Sequence, residues 1–224
     1  MASLWTGGGL NLTGTYPIIN MQLGINATNS GSGSYTITSN GTLTYGTVGS
    51  NACVGFNNSN GNYIMINYGA AVPRQFTVMF GLYMTGTTTA TVFSVCDGTF
   101  ASTKLVMNCD INDGSSTLFT PYIALPTQWT TAGTSSTYPG QNVWVHFAFS
   151  VDLTTFTLKR YVNGVLLRTD TGTAATLWDS TMKYFVLGRS GDNAPRGTNG
   201  YMRNFMVWDR ILSDSDVMSN YNTF

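Results

Sequence analysis

The stretch Phe156-Thr-Leu-Lys-Arg-Tyr-Val-Asn-Gly-Val-Leu-Leu-Arg168 decides the fold. Asn163-Gly164 separates two apolar runs, and this dipeptide predicts a β-hairpin, because both central residues of a type I′ turn need positive φ. Strand-like alternation precedes the hairpin in 143–151 and follows it in 184–189 and 200–213. Strands in such close succession predict an antiparallel sheet.

Several short motifs in this region occur in a characteristic order. They are Trp144-Val-His-Phe-Ala148, Tyr161-Val-Asn-Gly164, Leu187-Gly-Arg189, Gly200-Tyr-Met202 and Val207-Trp-Asp-Arg-Ile-Leu-Ser213. Together they resemble the laminin G-like, concanavalin A-like jelly-roll family. The likeness extends over roughly residues 52 to 221 and more loosely over the remainder.

The resemblance implies an all-β fold, a two-sheet antiparallel jelly-roll sandwich of the concanavalin A-like, laminin G-like type, with twelve or more strands. We expect one such domain over residues 1–224, since no linker interrupts the chain. The family likeness also implies that an N-terminal strand near Met21 to Leu23 lies beside Met202 to Trp208. Only 213–221 has a helical pattern, with Ser213 as N-cap and Asp216 at N3.

The composition excludes several classes of function. Charged residues make up 9% of the chain, against a typical ~25%, and ten basic residues balance ten acids. No electrostatic footprint for nucleic acid is present, and no apolar run is long enough to insert in a membrane. Residues 1–73 carry no charge, so the surface is built from Thr, Ser, Asn and Gly. Such a surface suits lateral packing in an assembly or contact with sugars.

The cysteines predict free thiols. Cys53, Cys96 and Cys109 are odd in number, and no signal peptide opens the chain. If the segment from 96 to 111 is a hairpin, Cys96 faces a position near Leu105 rather than Cys109. A local disulfide is therefore not expected.

The residue types in this chain disfavour the kinds of catalysis that the fold supports in other proteins. Glucanases of the same jelly roll use paired glutamates, and this chain contains no Glu. His146 is the only histidine, which leaves neither a catalytic triad nor a zinc site, and we expect it to be packed and hydrogen-bonded. Arg160 shares a face with apolar neighbours, so either an acid such as Asp152 or Asp170 pairs with it or that face is exposed. We expect no enzyme.

Calcium is an open alternative, because relatives of this type often hold the ion at the rim of the sandwich. Calcium takes oxygen ligands from carboxylates, amides and carbonyls. The candidate ligands are Asp110 with Asn112 and Asp113, and Asp192 with Asn193. Turn formation explains the same residues without a metal. Arg203 also stands where the family commonly has an acid.

Sugar binding would need aromatic platforms with polar side chains nearby. The candidates are Trp129, Tyr122, Tyr138 and Trp178, of which Trp129 and Tyr138 lie in the loop from Pro126 to Gln141. The alternative is that loop aromatics cap the sheet edges, while Trp144 and Trp208 belong to the core.

These observations predict a non-catalytic module that binds glycans or neighbouring proteins. By analogy of fold and composition, it resembles structural or attachment proteins of viral or phage particles, on a virion or particle surface. A purely structural capsid-type component, as a homo-oligomer or part of a larger assembly, is the alternative.

Overall fold

The computed structural model describes residues 16–24, 26–59, 61–86, 90–100, 105–111, 118–122, 136–137, 140–171, 180–192 and 194–224. These residues form fifteen strands and one helix. The strands are β1 (Ile19–Met21), β2 (Thr36–Asn40), β3 (Thr44–Val48), β4 (Asn51–Asn57), β5 (Tyr63–Asn67), β6 (Gln75–Met84), β7 (Ala90–Cys96), β8 (Leu105–Ile111), β9 (Leu118–Tyr122), β10 (Ser136–Thr137), β11 (Trp144–Asp152), β12 (Thr157–Val162), β13 (Val165–Thr171), β14 (Tyr184–Leu187) and β15 (Asn199–Trp208). The helix is α1 (Asp214–Tyr221).

Two antiparallel sheets pack into a jelly-roll sandwich, which confirms the predicted fold class. The first sheet runs β13-β12-β11-β6-β15-β4-β3, with β1 also paired to β15. The second runs β10-β9-β8-β7-β14-β5-β2. Pairing of Ile19 with Val207 and of Met21 with Phe205 confirms the predicted contact between the first and last strands.

The core lies between the sheets and is rich in aromatic rings. Phe80 on β6 is fully buried at its centre. Ring centroids lie 5.6–6.3 Å from Phe80 for four other phenylalanines: Phe93, Phe147, Phe149 and Phe205. Alternate residues of β6 and β11 supply Phe80, Phe147 and Phe149, since strand side chains point to opposite faces, whereas Phe93 comes from β7 and Phe205 from β15. The remaining positions face outward and are free to build a site.

The hairpin of β12 and β13 turns at Asn163-Gly164 as the sequence predicts. Val162 pairs with Val165, and the two turn residues have φ of 49° and 78°. The cysteine prediction also holds, because all three thiols are free and buried and Cys96 pairs with Leu105.

Helix α1 covers part of the outer face of the first sheet. Ser213 caps it, and its side chain and that of Asp216 form a reciprocal capping box. Val217 is buried in a second apolar cluster with Tyr161 and Trp208. The helix thereby fixes the last residues of the chain against the sheet.

Gly164 is also where the hairpin touches α1. A Cβ there would lie 2.8 Å from Tyr221 Cδ1 and 2.9 Å from Met218 Sδ. Gly164→Ala is therefore expected to lower the free energy of unfolding by about 2 kcal/mol, from left-handed strain and steric overlap together. Gly49→Ala is the matched control, because Gly49 has φ of 63° and open space around it. It should cost only about 1 kcal/mol. Equal losses in urea unfolding would contradict the contact with the helix.

Candidate functional site

A pocket of about 320 Å³ opens on the outer face of the first sheet, beside the C-terminal end of α1. We call it the outer-face pocket. Its walls come from β6, β11, the hairpin turn, β15 and the segment after α1. The side chains that carry its chemistry are Trp144, His146, Asn163, Arg203, Tyr221 and Phe224. It therefore combines three aromatic rings with amide, imidazole and guanidinium groups.

Arg203 reaches the pocket because of two backbone features. It pairs with Gly81 on β6, where a Cβ would lie 2.8 Å from Arg203 Cγ, so only glycine leaves room for this side chain. The register of β15 shifts between Arg203 and Met206, and Asn204 has φ of 48°. A bulge of this kind re-aims side chains.

The Arg203 guanidinium is half-buried between aromatic rings. Its central carbon lies 4.9 Å from the ring centroid of Trp144 and 5.7 Å from that of Phe224. Nη1 donates a hydrogen bond to Asn51 Oδ1, whereas Nε is buried without a partner. Burial lowers the pKa of Arg203, although an arginine keeps its charge in proteins.

His146 is 4% exposed and forms the buried end of the pocket. Neither ring nitrogen has a hydrogen-bond partner, and the ring packs against aromatic rings, at 4.2 Å from Phe224 and 5.3 Å from Tyr221. Burial lowers its pKa to about 3, and the charge of Arg203 acts in the same direction. The imidazole is thus neutral at pH 7. The expectation of a hydrogen-bonded histidine was wrong, because the end of α1 and the segment after it place the aromatic rings of Tyr221 and Phe224, not polar groups, against the imidazole.

Asn163 joins the hairpin turn to the pocket. Its Oδ1 accepts from the backbone N–H of His146 at 3.0 Å, and its own backbone N–H donates to the His146 carbonyl at 2.8 Å. These two bonds fix the position of the asparagine amide at the pocket wall.

The two tryptophans expected in the core, Trp144 and Trp208, differ in how deeply they are buried. Trp208 is 1% exposed beneath α1, which confirms that expectation. Trp144 is only half-buried, with Nε1 donating to the Val48 carbonyl at 3.3 Å and Tyr83 at 5.5 Å between centroids. Its outward position on β11 places it at the pocket, so its assignment to the core was wrong.

The structure describes none of the side chains of the four aromatic residues predicted to stack on sugars. Trp129, Tyr138 and Trp178 lie outside the part of the chain that the structure describes. Tyr122 ends β9 on the second sheet, with only its backbone described. Their role stays a prediction.

Two of the five residues predicted to bind calcium are described. Asp110 is fully buried, and its carboxylate accepts a hydrogen bond from Thr91 Oγ1 and pairs with Arg196. Burial raises the pKa of Asp110, against the opposing influence of Thr91 and Arg196. Asp192 accepts from the Ser190 hydroxyl and from the backbone N–H of Ala194 at 3.0 Å.

This arrangement does not fit a cation on Asp110, because Arg196 already supplies the positive charge. Asn112, Asp113 and Asn193 lie outside the described residues, so calcium there stays a prediction. Among the described residues, no three His, Cys, Asp or Glu side chains lie together as metal ligands would. In the same part of the chain, no helix is long and apolar enough to span a membrane.

The fold defines the class as a lectin-type jelly-roll sandwich. A laminin G-type family model, described as the concanavalin A-like lectin/glucanases superfamily, matches residues 57–218. The chain belongs to this family. No match was found among the curated proteins.

Solved structures share the fold at low sequence identity. One is domain 4 of a GH43 extracellular arabinanase from Geobacillus stearothermophilus in complex with arabinotriose, with 20% identity, a TM-score of 0.63, and coverage of 84% of this chain and 90% of that chain. A second is the botulinum neurotoxin type G receptor binding domain, with 13% identity, a TM-score of 0.65, and coverage of 93% and 51%. A third is the botulinum neurotoxin serotype D ligand binding domain in complex with N-acetylneuraminic acid, with 14% identity, a TM-score of 0.63, and coverage of 92% and 50%. The chain spans about half the length of these neurotoxin domains.

Proposed function

We propose that the chain is a non-catalytic carbohydrate-binding module and that the outer-face pocket holds the sugar. The observation that carries the proposal is the composition of this pocket. Trp144, Tyr221 and Phe224 supply apolar ring surface, and Asn163, His146 and Arg203 supply hydrogen-bonding groups. Sugars present both kinds of surface, an apolar ring face and a rim of hydroxyls, and binding sites pair them with aromatic and polar side chains.

The size of the pocket fits a small ligand. A volume of about 320 Å³ lies at the lower end of the ~300–1,000 Å³ typical of small-molecule sites. A pocket of this size suits one sugar residue at the end of a glycan better than an internal stretch of a long polymer.

The absence of carboxylates from the pocket lining supports binding without hydrolysis. Glycosidases use two carboxyl groups that flank the scissile bond. None of the described residues that line the outer-face pocket is acidic, and the chain has no Glu. The family includes both lectins and glucanases, and the lack of acidic side chains among the described lining residues favours the binding members for this chain. Two neighbours of the same fold, solved with arabinotriose and with N-acetylneuraminic acid, add weight to a sugar ligand.

A glycan array of the purified protein tests the proposal. Selective binding is expected in wild type and a loss of about fivefold or more in Tyr221→Ala, because stacking on a ring is worth about 1 kcal/mol or more. Tyr16→Ala is the matched control, since Tyr16 is 64% exposed and outside the pocket. A Trp129→Ala arm tests the loop prediction, and arms with calcium and with chelator test the metal. Loss of binding in Trp129→Ala alone would assign the binding site to the loop. If the wild type bound no glycan on the array, the proposal would be wrong.

A second candidate is a structural or attachment component that packs against neighbouring subunits on a particle surface. Strand β13 lies at one end of its sheet and exposes three consecutive apolar side chains, Val165 (59%), Leu166 (36%) and Leu167 (45%). Exposed apolar edge strands favour pairing with another chain. Sedimentation of the wild type and of Leu167→Lys distinguishes this candidate: a concentration-dependent oligomer that Leu167→Lys abolishes supports it, and a monomer in both opposes it.

A further inference from the structure

The charge inside the outer-face pocket is unbalanced. Among the described residues, no carboxylate lies within ion-pair distance of Arg203, whereas Arg160, Arg168 and Arg196 each pair with an aspartate. The part of the pocket lining that the structure describes contains no acidic side chain. A half-buried guanidinium without a counter-charge favours an anionic ligand, since the interaction is stronger away from bulk water.

The hydrogen-bonding groups of the pocket are also incompletely satisfied. His146 is 4% exposed, and both its ring nitrogens are unpartnered although the residue lines the pocket. Arg203 makes one hydrogen bond, through Nη1 to Asn51, and Nε has none. Buried polar groups are normally paired, so unpartnered nitrogens on two residues of the pocket wall indicate that a ligand can complete them after a small adjustment of these side chains.

The guanidinium favours a carboxylate over other anions. Nη1 is bonded to Asn51 and Nε is buried beside Gly81, so Nη2 is the donor that faces a ligand directly; a carboxylate pairs with Nη2 and Nε in a planar, bidentate fashion once the side chain turns Nε toward the pocket. The neutral imidazole of His146 offers one donor and one acceptor, which suits a sugar hydroxyl.

We propose that the ligand of the outer-face pocket is an acidic sugar whose carboxylate pairs with Arg203, a hexuronic or a sialic acid at the end of a glycan. This proposal rests on the carbohydrate-binding function proposed above. The carboxylate replaces the missing counter-charge, and the aromatic rings contact the apolar face of the same sugar.

Calorimetric titration with four probes tests the proposal. The probes are methyl glucuronide, N-acetylneuraminic acid, the neutral methyl glucoside and glucose 6-sulfate. Wild type is expected to bind at least one of the two carboxylates about tenfold or more tightly than the glucoside, since a hydrogen bond to a charged group adds about 1.5–3 kcal/mol. The carboxylate probe that binds more tightly identifies the acidic sugar as a hexuronic acid or a sialic acid.

Arg203→Gln should remove this preference and leave weak binding to the neutral sugar. Arg189→Gln is the matched control, because the Arg189 guanidinium also stacks on a ring, 3.7 Å from the centroid of Phe100, but outside the pocket lining. Should Arg203→Gln fail to fold, Arg203→Lys keeps the charge without the planar fork and is expected to lose part of the preference.

The outcomes separate the two proposals. Equal binding of acidic and neutral sugars, unchanged in Arg203→Gln, would overturn the acidic ligand and leave carbohydrate binding intact. The acidic-ligand proposal would also be overturned if the sulfate bound more tightly than either carboxylate. The same holds if the preference for acidic sugars were lost only in Arg189→Gln. No binding of any probe here, with a silent glycan array, would overturn both.

Discussion

Asp170→Ala is expected to lower the free energy of unfolding by about 3–5 kcal/mol, because it leaves a buried arginine without its counter-charge. Arg160 is fully buried, and its Nε donates to Asp170 Oδ2 at 2.6 Å. Arg168, which is 37% exposed, contacts the other carboxylate oxygen at 2.6 Å. Once the carboxylate is gone, the charge on Arg160 remains inside the sandwich with no water to solvate it.

Two variants separate the buried pair from the exposed one. Arg168→Ala should cost only about 0–1 kcal/mol, as exposed ion pairs do. The double variant Arg160→Met with Asp170→Leu should recover most of the loss, since apolar residues of similar volume replace buried ion pairs at little cost. Urea unfolding of all four proteins provides the measurement. A small loss in Asp170→Ala, or a double variant as unstable as the single one, would contradict this account.

The second large effect is a loss of stability as pH falls, caused by His146. Burial holds the pKa of the folded imidazole at about 3, whereas an unfolded histidine titrates near 6.5. Between these values the unfolded chain binds a proton that the folded chain does not, so stability decreases with falling pH. The contribution between pH 7 and pH 4 is about 3 kcal/mol, since one pKa unit corresponds to about 1.4 kcal/mol.

His146→Phe isolates this contribution, because Phe has no titrating group and also packs against Phe224. Carboxylates with lowered pKa values, among them Asp152 and Asp214, add to the acid dependence of both proteins in the same way. The difference between the two unfolding curves is therefore due to His146. Parallel curves from pH 7 to pH 4 would show that the imidazole is protonated in the folded state.

The sheet was predictable because its signals are local. Asn163-Gly164 fixes the hairpin by its backbone preference, and the strand-like alternation of 143–151 corresponds to β11. Pairing of Cys96 with Leu105 follows from the same register argument. Asp152 and Asp170 were named as possible partners of Arg160, and Asp170 is the partner observed.

The pocket was not predictable, since it depends on contacts between distant segments. His146 lies on β11, but its neighbours Tyr221 and Phe224 come from the end of α1 and from the segment after it, far along the chain. Arg203 was noticed only as a cation in the place of an acid. One signal was present: Gly81 interrupts the alternation of β6 at an outward position, and a glycine inside a strand often marks a close approach of another group.

The outer-face pocket also sets an order of events during synthesis. Its walls extend from Gly81 on β6 to Phe224, and α1 must dock against the finished hairpin before Tyr221 and Phe224 reach their places. A nascent chain that is still missing its last turn therefore has a nearly complete sandwich but no pocket. Ligand binding therefore reports that α1 has docked on the sheet, and a bound ligand would hold residues 221–224 in place.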